Sequence, residues 1–204
     1  MPALEGAIEE VKIADDDSLH LRVIGDVQPE GICGSGLVDI LSELLRTGRM
    51  NDMGRFEDGL TRITLYENER EGKCVYLLES DVNELAQAKG ANVAGLHVVF
   101  STYGIDFDGV DVFYLAGGFG RHLNAEASKR IGLIPSLDSQ KIVQAGNVAI
   151  EGATIALLSK TKRQELEELV KKVQHCRLET HPSFFDFFVE GCQFKRVEPI
   201  PCAR

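Results

Sequence analysis

The sequence predicts an α/β fold with a mixed, largely parallel sheet flanked by helices. Strand-like and helix-like segments alternate along the chain. The strongest strand, Val110 to Ala116, is apolar on both faces after Asp111 and runs straight into Gly117-Gly118-Phe119-Gly120, as a central strand between helices should. With 204 residues, 44% of them apolar and 26% charged, the chain can form one real core without staples.

From the start, residues 3 to 13 show no clear periodicity and Asp15 to Ser18 reads as a turn. Leu19, Leu21 and Val23 alternate with His20 and Arg22, which predicts a half-buried strand. Leu37, Ile40, Leu41, Leu44 and Leu45 share one helical face, with Ser35 as the N-cap, Asp39 in the first turn and Gly48 as the stop. Leu60 to Leu65 and Cys74 to Leu78 predict two strands joined by a charged turn. Asp81 and Glu84 are spaced as a capping box for the next helix. Gly90 and Ala94, and likewise Ala91 and Gly95, stack along one side of that helix. Something therefore comes close to its backbone, an element or a ligand. Beyond the Gly-Gly turn come a short helix from Asn124 to Ile131 and a strand from Lys141 to Gln144. Val148 to Ser159 follows as an apolar helix, in which Gly152 signals close packing, and Gln164 to Gln174 as an amphipathic one. Cys176 to Thr180 reads as a last strand, before an aromatic tail of four phenylalanines.

The net charge of −10 argues against nucleic acid or an anionic membrane as partner. Five cysteines, at 33, 74, 176, 192 and 202, form neither a Cys-x-x-Cys pair nor an even framework. With no secretory signal at the start and no stretch near membrane length, a cytoplasmic location in a reducing compartment is expected.

Three glycine clusters carry the chemistry. Cys33-Gly34-Ser35-Gly36 opens a helix, where amides and the Ser35 hydroxyl suit either an anion or a tight helix entry. Gly117 to Gly120 lies at the carboxyl end of the best strand, where ligands of open α/β sheets rest on bare backbone. Gly146-Asn147 leads a strand into a helix and reads as a cap. The five histidines are scattered and no nucleophile elbow is present, so no catalytic residue is assigned. Lys89 stands alone among small residues, as a solvated side chain or a base or phosphate contact.

Five motifs in one order carry a family resemblance: Gly31-Ile32-Cys33-Gly34-Ser35-Gly36-Leu37-Val38-Asp39, Gln87-Ala88-Lys89-Gly90-Ala91, Tyr114-Leu115-Ala116-Gly117-Gly118-Phe119-Gly120, Ile131-Gly132-Leu133-Ile134-Pro135, and Gly146-Asn147 with Glu151-Gly152-Ala153. The series, over residues 29 to 194, resembles the C-terminal part of the reductive activators of corrinoid proteins, members of the actin, sugar-kinase and heat-shock-chaperone ATPase superfamily.

That resemblance implies that residues 1 to 204 are the C-terminal part of an actin-like (ribonuclease-H-like) ATPase domain, the adenosine side of an ATP-dependent protein that supports Co(II) to Co(I) reduction. It carries the adenosine motif over to Gly117, Gly118, Phe119 and Gly120. It places Gln87 and Lys89 near base and ribose and leaves Gly34 and Ser35 as further nucleotide contacts. The partners it implies are a corrinoid protein and an N-terminal ferredoxin-containing part of the same protein. The superfamily's Asp-x-Gly-Thr phosphate motifs are absent, so Mg²⁺ would come with regions outside this sequence. A ferredoxin cysteine cluster is absent too, so no iron–sulfur cluster is expected in this chain. The alternatives are a non-catalytic module of the same fold, which binds a corrinoid protein or seals a homodimer, and a fragment of a kinase-like phosphotransferase.

Overall fold

A computed structural model describes residues 1–199, apart from the side chain of Phe119; Cys202 lies outside the described residues. The chain opens with β1 (Ala7–Ile13), which pairs antiparallel with β2 (Leu19–Val23) and parallel with β3 (Gly31–Ile32), in the order β2-β1-β3. β1 escapes the sequence pattern because its pairing shifts between Ile8 and Glu10, and the bulge interrupts the alternation of faces. Helix α1 (Gly34–Arg46) then lays Val38, Leu41 and Leu44 into a core with Ile8, Val11 and Ile13. Gly48, at φ +69°, closes it as expected. The helix start differs from expectation. Cys33 is the N-cap, Ser35 is buried in the first turn and Asp39 lies one turn further in.

The hairpin of β4 (Arg62–Asn68) and β5 (Lys73–Leu78) adds Leu65, Val75 and Leu77 to the same core. Helix α2 (Glu79–Tyr103) starts two residues before Asp81, so Leu78 is its N-cap and Asp81 its third residue. The Asp81 carboxylate accepts the Leu78 N–H at 2.9 Å, which leaves Glu84 outside the cap. β6 (Phe113–Ala116), the short α3 (Gly117–Gly120), α4 (Ala125–Arg130) and β7 (Ile142–Gly146) follow, with β6 and β7 parallel. The last helices are α5 (Val148–Leu158), α6 (Lys160–Val170) and α7 (Phe184–Gly191).

Three expectations need correcting. Tyr114 is 63% exposed, so β6 is not covered on both faces; among the described residues its one strand neighbour is β7. Residues 178 to 180 form a single 3₁₀ turn rather than a strand, since no described strand lies alongside to pair with them. Gly152 is open: no heavy atom stands within 4 Å of where its Cβ would be, so close packing does not explain it. The small side of α2 is explained instead by α7. A Cβ on Gly90 would stand 2.7 Å from the Cys192 sulfur, and one on Gly191 would stand 2.8 Å from the Val93 Cβ.

Candidate functional site: the glycine turn after β6

β6 delivers the chain into Gly117 at φ +95°, a backbone conformation that glycine adopts without strain. No heavy atom stands within 4 Å of a Cβ built on Gly117 or Gly118, so this stretch of backbone is bare to whatever rests on it. Gly120 is different. A Cβ there would press on the Leu115 carbonyl at 3.0 Å, so this glycine is needed for the turn to fold back on the strand.

The turn is held from below. Asn124 caps α4 through Oδ1, which accepts the Ala127 N–H at 3.1 Å, and Gln144 of β7 donates to the Leu123 carbonyl at 2.5 Å. α4 is in turn fastened to α1, because the Arg130 guanidinium donates to the Ser42 hydroxyl at 2.5 Å. Glu43 next to it accepts from the Ile13 N–H at 2.9 Å and from Arg46 at 2.7 Å. The Arg46 hydrogen bond, opposed in part by burial, holds the Glu43 carboxyl below its ordinary range. On the other side of α4, the buried Lys129 pairs with Glu126 and donates to Ser139 at 2.9 Å. The glycine turn thus sits on a strut that runs from β7 through α4 to α1 and β1. Glu43, Arg130 and Gln144 carry this strut, and sequence reasoning did not single them out because their partners lie up to 88 positions away.

The other residues expected at the site are elsewhere. Gly34 and Ser35 open a helix packed on β1, where a Cβ on Gly36 would overlap the Ile8 carbonyl oxygen. The Ser35 hydroxyl faces the Cys33 thiol at 3.3 Å, so this cluster is a tight helix entry. Gln87 lines a shallow groove with Met53, Arg55 and Phe188. Lys89 is neither solvated nor beside the glycine turn. It is 1% exposed, and its ammonium donates to the carbonyls of Gly191 and, at 2.6 Å, Gln193. Burial pulls it down from the usual lysine range to about 8. Asp39 is buried with Oδ1 unpartnered, and burial raises its carboxyl to about 6.

Residues 1–202 match the family described as the C-terminal domain of RACo, the ASKHA domain. The chain belongs to that family. A solved structure titled reductive activator for corrinoid, iron–sulfur protein superposes on 96% of this RACo-type ASKHA chain with a TM-score of 0.86 and 32% identity, covering 33% of its own length. The actin-like ATPase fold expected from the resemblance is the fold of the chain. The corrinoid activation enzyme RamQ of Eubacterium limosum is 28% identical over 95% of this chain and 36% of its own. A protein of Methanosarcina barkeri named [Co(II) methylated amine-specific corrinoid protein] reductase is 27% identical over 78% of the chain and 28% of its own. The ASKHA chain therefore spans about a third of the length of these relatives. Among the described residues no helix is long and apolar enough to cross a membrane.

Proposed function

We propose that this chain is the adenosine-side half of an ATP-dependent reductive activator of corrinoid proteins, supporting reduction of Co(II) to Co(I). The observation that carries the reading is the bare backbone of Gly117 and Gly118 at the carboxyl end of β6. Ligands of α/β sheets bind at that end of a strand. The names of the relatives, a corrinoid activation enzyme and a Co(II) corrinoid protein reductase, support the choice of substrate class.

The residues present suit an adenosine and not a triphosphate. Gly117, Gly118 and the backbone of Phe119 and Gly120 offer a flat approach, with no side chain to collide at the first two. No Asp-x-Gly-Thr segment stands in the sequence to hold phosphates or Mg²⁺. When bound, ATP would supply the binding energy that drives a change of conformation. This chain's part is to seat the base and ribose and to hold the turn rigid through Asn124, Gln144 and Arg130. The described cysteines do not fit an iron–sulfur centre of the family's kind. Cys33 is in the core, Cys74 is on the exposed hairpin, Cys176 is a free thiol in the loop after α6, and Cys192 is a free thiol at the end of α7. The electron therefore comes from another part of the protein or from a partner.

Titration of ATP into the parent and into Gly118→Val tests the reading, with circular dichroism as the folding control. The parent binds weakly, near 1 mM or about −4 kcal/mol, since phosphate ligands are missing. Gly118→Val loses binding and keeps the fold. A folded Gly118→Val that binds as well as the parent removes the adenosine assignment.

A further inference from the structure

A cavity of about 330 Å³ lies between α2, α7 and the segment after α7, and Gly117, Gly118 and Gly120 are not among the described residues that line it. Its inner wall carries two polar side chains that folding has almost fully removed from water, Lys89 at 1% and His97 at 6% exposed. Neither is fully answered by the protein. The Lys89 ammonium is bonded to two neutral carbonyls and lies 5.3 Å from the centre of the Phe194 ring, but among the described residues no carboxylate pairs with it. Carbonyls and a ring face offset part of the cost of burying a cation, and the Cys192 thiol acts on it as well, but among the described residues no carboxylate counter-charge is bonded to it. The His97 ring has no hydrogen-bond partner among the described residues, and its one ring neighbour within the cavity wall is Phe187, at 5.2 Å between centroids.

The carboxylates at the mouth are not bonded to Lys89. Glu190 accepts from Lys195 at 3.2 Å, and the lining as a whole holds Glu190 and Glu198 against Lys89, Lys195 and Arg196, which leaves one positive charge in excess among the described residues. Of the remaining lining, Val93, Val197, Pro199 and Phe187 are apolar or aromatic, with Gln193 the one further polar side chain. Such a lining suits a body with few polar groups.

We propose that this cavity binds a small organic carboxylate, with Lys89 as the charge partner of the carboxylate, His97 as its hydrogen-bond partner and Phe187 against its apolar body. The site is independent of the nucleotide reading, and its test needs no nucleotide.

The test uses the chain as it stands and follows the His97 ring resonances by NMR during titration with benzoate, benzyl alcohol and inorganic phosphate. Benzoate saturates the shift with a dissociation constant of about 1 mM or tighter, and benzyl alcohol, of the same shape without the charge, binds at least about tenfold more weakly. Lys89→Met reduces benzoate affinity by about tenfold or more. Because that variant also removes the clamp on α7, His97→Phe serves as the second: it folds like the parent and loses about tenfold in affinity, read on the Phe187 ring. Each of these comparisons corresponds to about 1.4 kcal/mol. Equal binding of benzoate and benzyl alcohol reduces the cavity to an apolar hole and overturns the proposal. So does saturation by phosphate without benzoate, unchanged benzoate affinity in a folded His97→Phe, or a shift that never saturates.

Discussion

Helices α1 and α5 enter alike and end differently. Each follows a short parallel strand through a one-residue cap, Cys33 or Asn147, and each is rich in aliphatic residues. α1 buries Val38, Ile40, Leu41 and Leu44 against β1, a strand with neighbours on both edges. α5 buries nothing among the described residues. Ile150 is 64% and Leu158 80% exposed, and β7 ahead of it belongs to a two-stranded sheet. The lesson is that apolar composition marks a helix for burial, but a partner decides whether the burial occurs. An exposed apolar face of this breadth marks a contact surface rather than a solvent face. The half around α1 is packed as a core, and the half around α5 leaves its apolar side chains exposed among the described residues.

The sharpest way to break that comparison is a methyl group. In Gly36→Ala the new Cβ overlaps the Ile8 carbonyl oxygen, and backbone on both sides prevents relief. A loss of about 3 kcal/mol or more is expected, at the upper end for single substitutions. Urea denaturation followed by far-UV circular dichroism measures it. A Gly36→Ala protein as stable as the parent would mean that α1 is no more fixed to its strand than α5.

The next largest effect comes from Asp39, buried on the same face of α1. Its carboxyl is raised from the usual 3.8 to about 6, chiefly by burial, with the Val11 amide opposing and Glu10 and Glu43 adding. Below about pH 3.8 the group is protonated folded and unfolded alike, and it costs the fold nothing. As pH rises from about 3.8 to about 6, the unfolded chain ionises before the folded one and stability is lost; above about 6 both are ionised and the loss levels off. The contribution falls by about 2–3 kcal/mol between pH 4 and pH 8. Asp39→Asn removes that fall, so the stability difference between variant and parent should move in the variant's favour by about this amount across the range. Parallel pH profiles of the two would show that the carboxyl titrates as it does in water.

How much of this was legible in the sequence follows the same division. The segments with an unbroken period were visible: α1 by its aliphatic face, β4 and β5 by their turn, and α4 by Asn124. β1 was hidden by its bulge at Ile8 and Glu10, and the start of α2 by a cap that reaches back from Asp81 to Leu78. The glycine turn after β6 was visible because strand and turn are contiguous. The strut beneath it was not, since Arg130 and Ser42 lie 88 positions apart. Lys89 shows the limit most clearly. Its place among small residues left a solvated side chain or a base or phosphate contact open, and its protein partners are carbonyls 102 and 104 residues further on. Burial is not a property of a segment, and Tyr114 was misread for that reason.

The open half gives the opposite sign to the same substitution. Gly152 lies inside α5 with free space where its Cβ would be. Gly152→Ala therefore trades the most flexible helix residue for the best helix former at no steric cost. A gain of about 0.5–1 kcal/mol is expected, seen as a higher urea midpoint with an unchanged slope. Destabilisation by Gly152→Ala would place a contact against α5 in solution and close the gap between the two helices.

The smallest effect on stability is expected where apolar side chains are most exposed. Leu157 is 75% and Leu158 80% exposed, so replacing both by glutamate removes little buried area. Surface substitutions of this kind stay within about 0.5 kcal/mol each. The same pair should change association strongly, because two charges interrupt the apolar face. The parent is expected to bind a hydrophobic dye and to elute earlier from a sizing column as its concentration rises. Leu157→Glu with Leu158→Glu should lose both behaviours while its unfolding curve stays in place. A drop in stability comparable to that of Gly36→Ala would show that α5 is packed after all, and the two helices would then differ in sequence only.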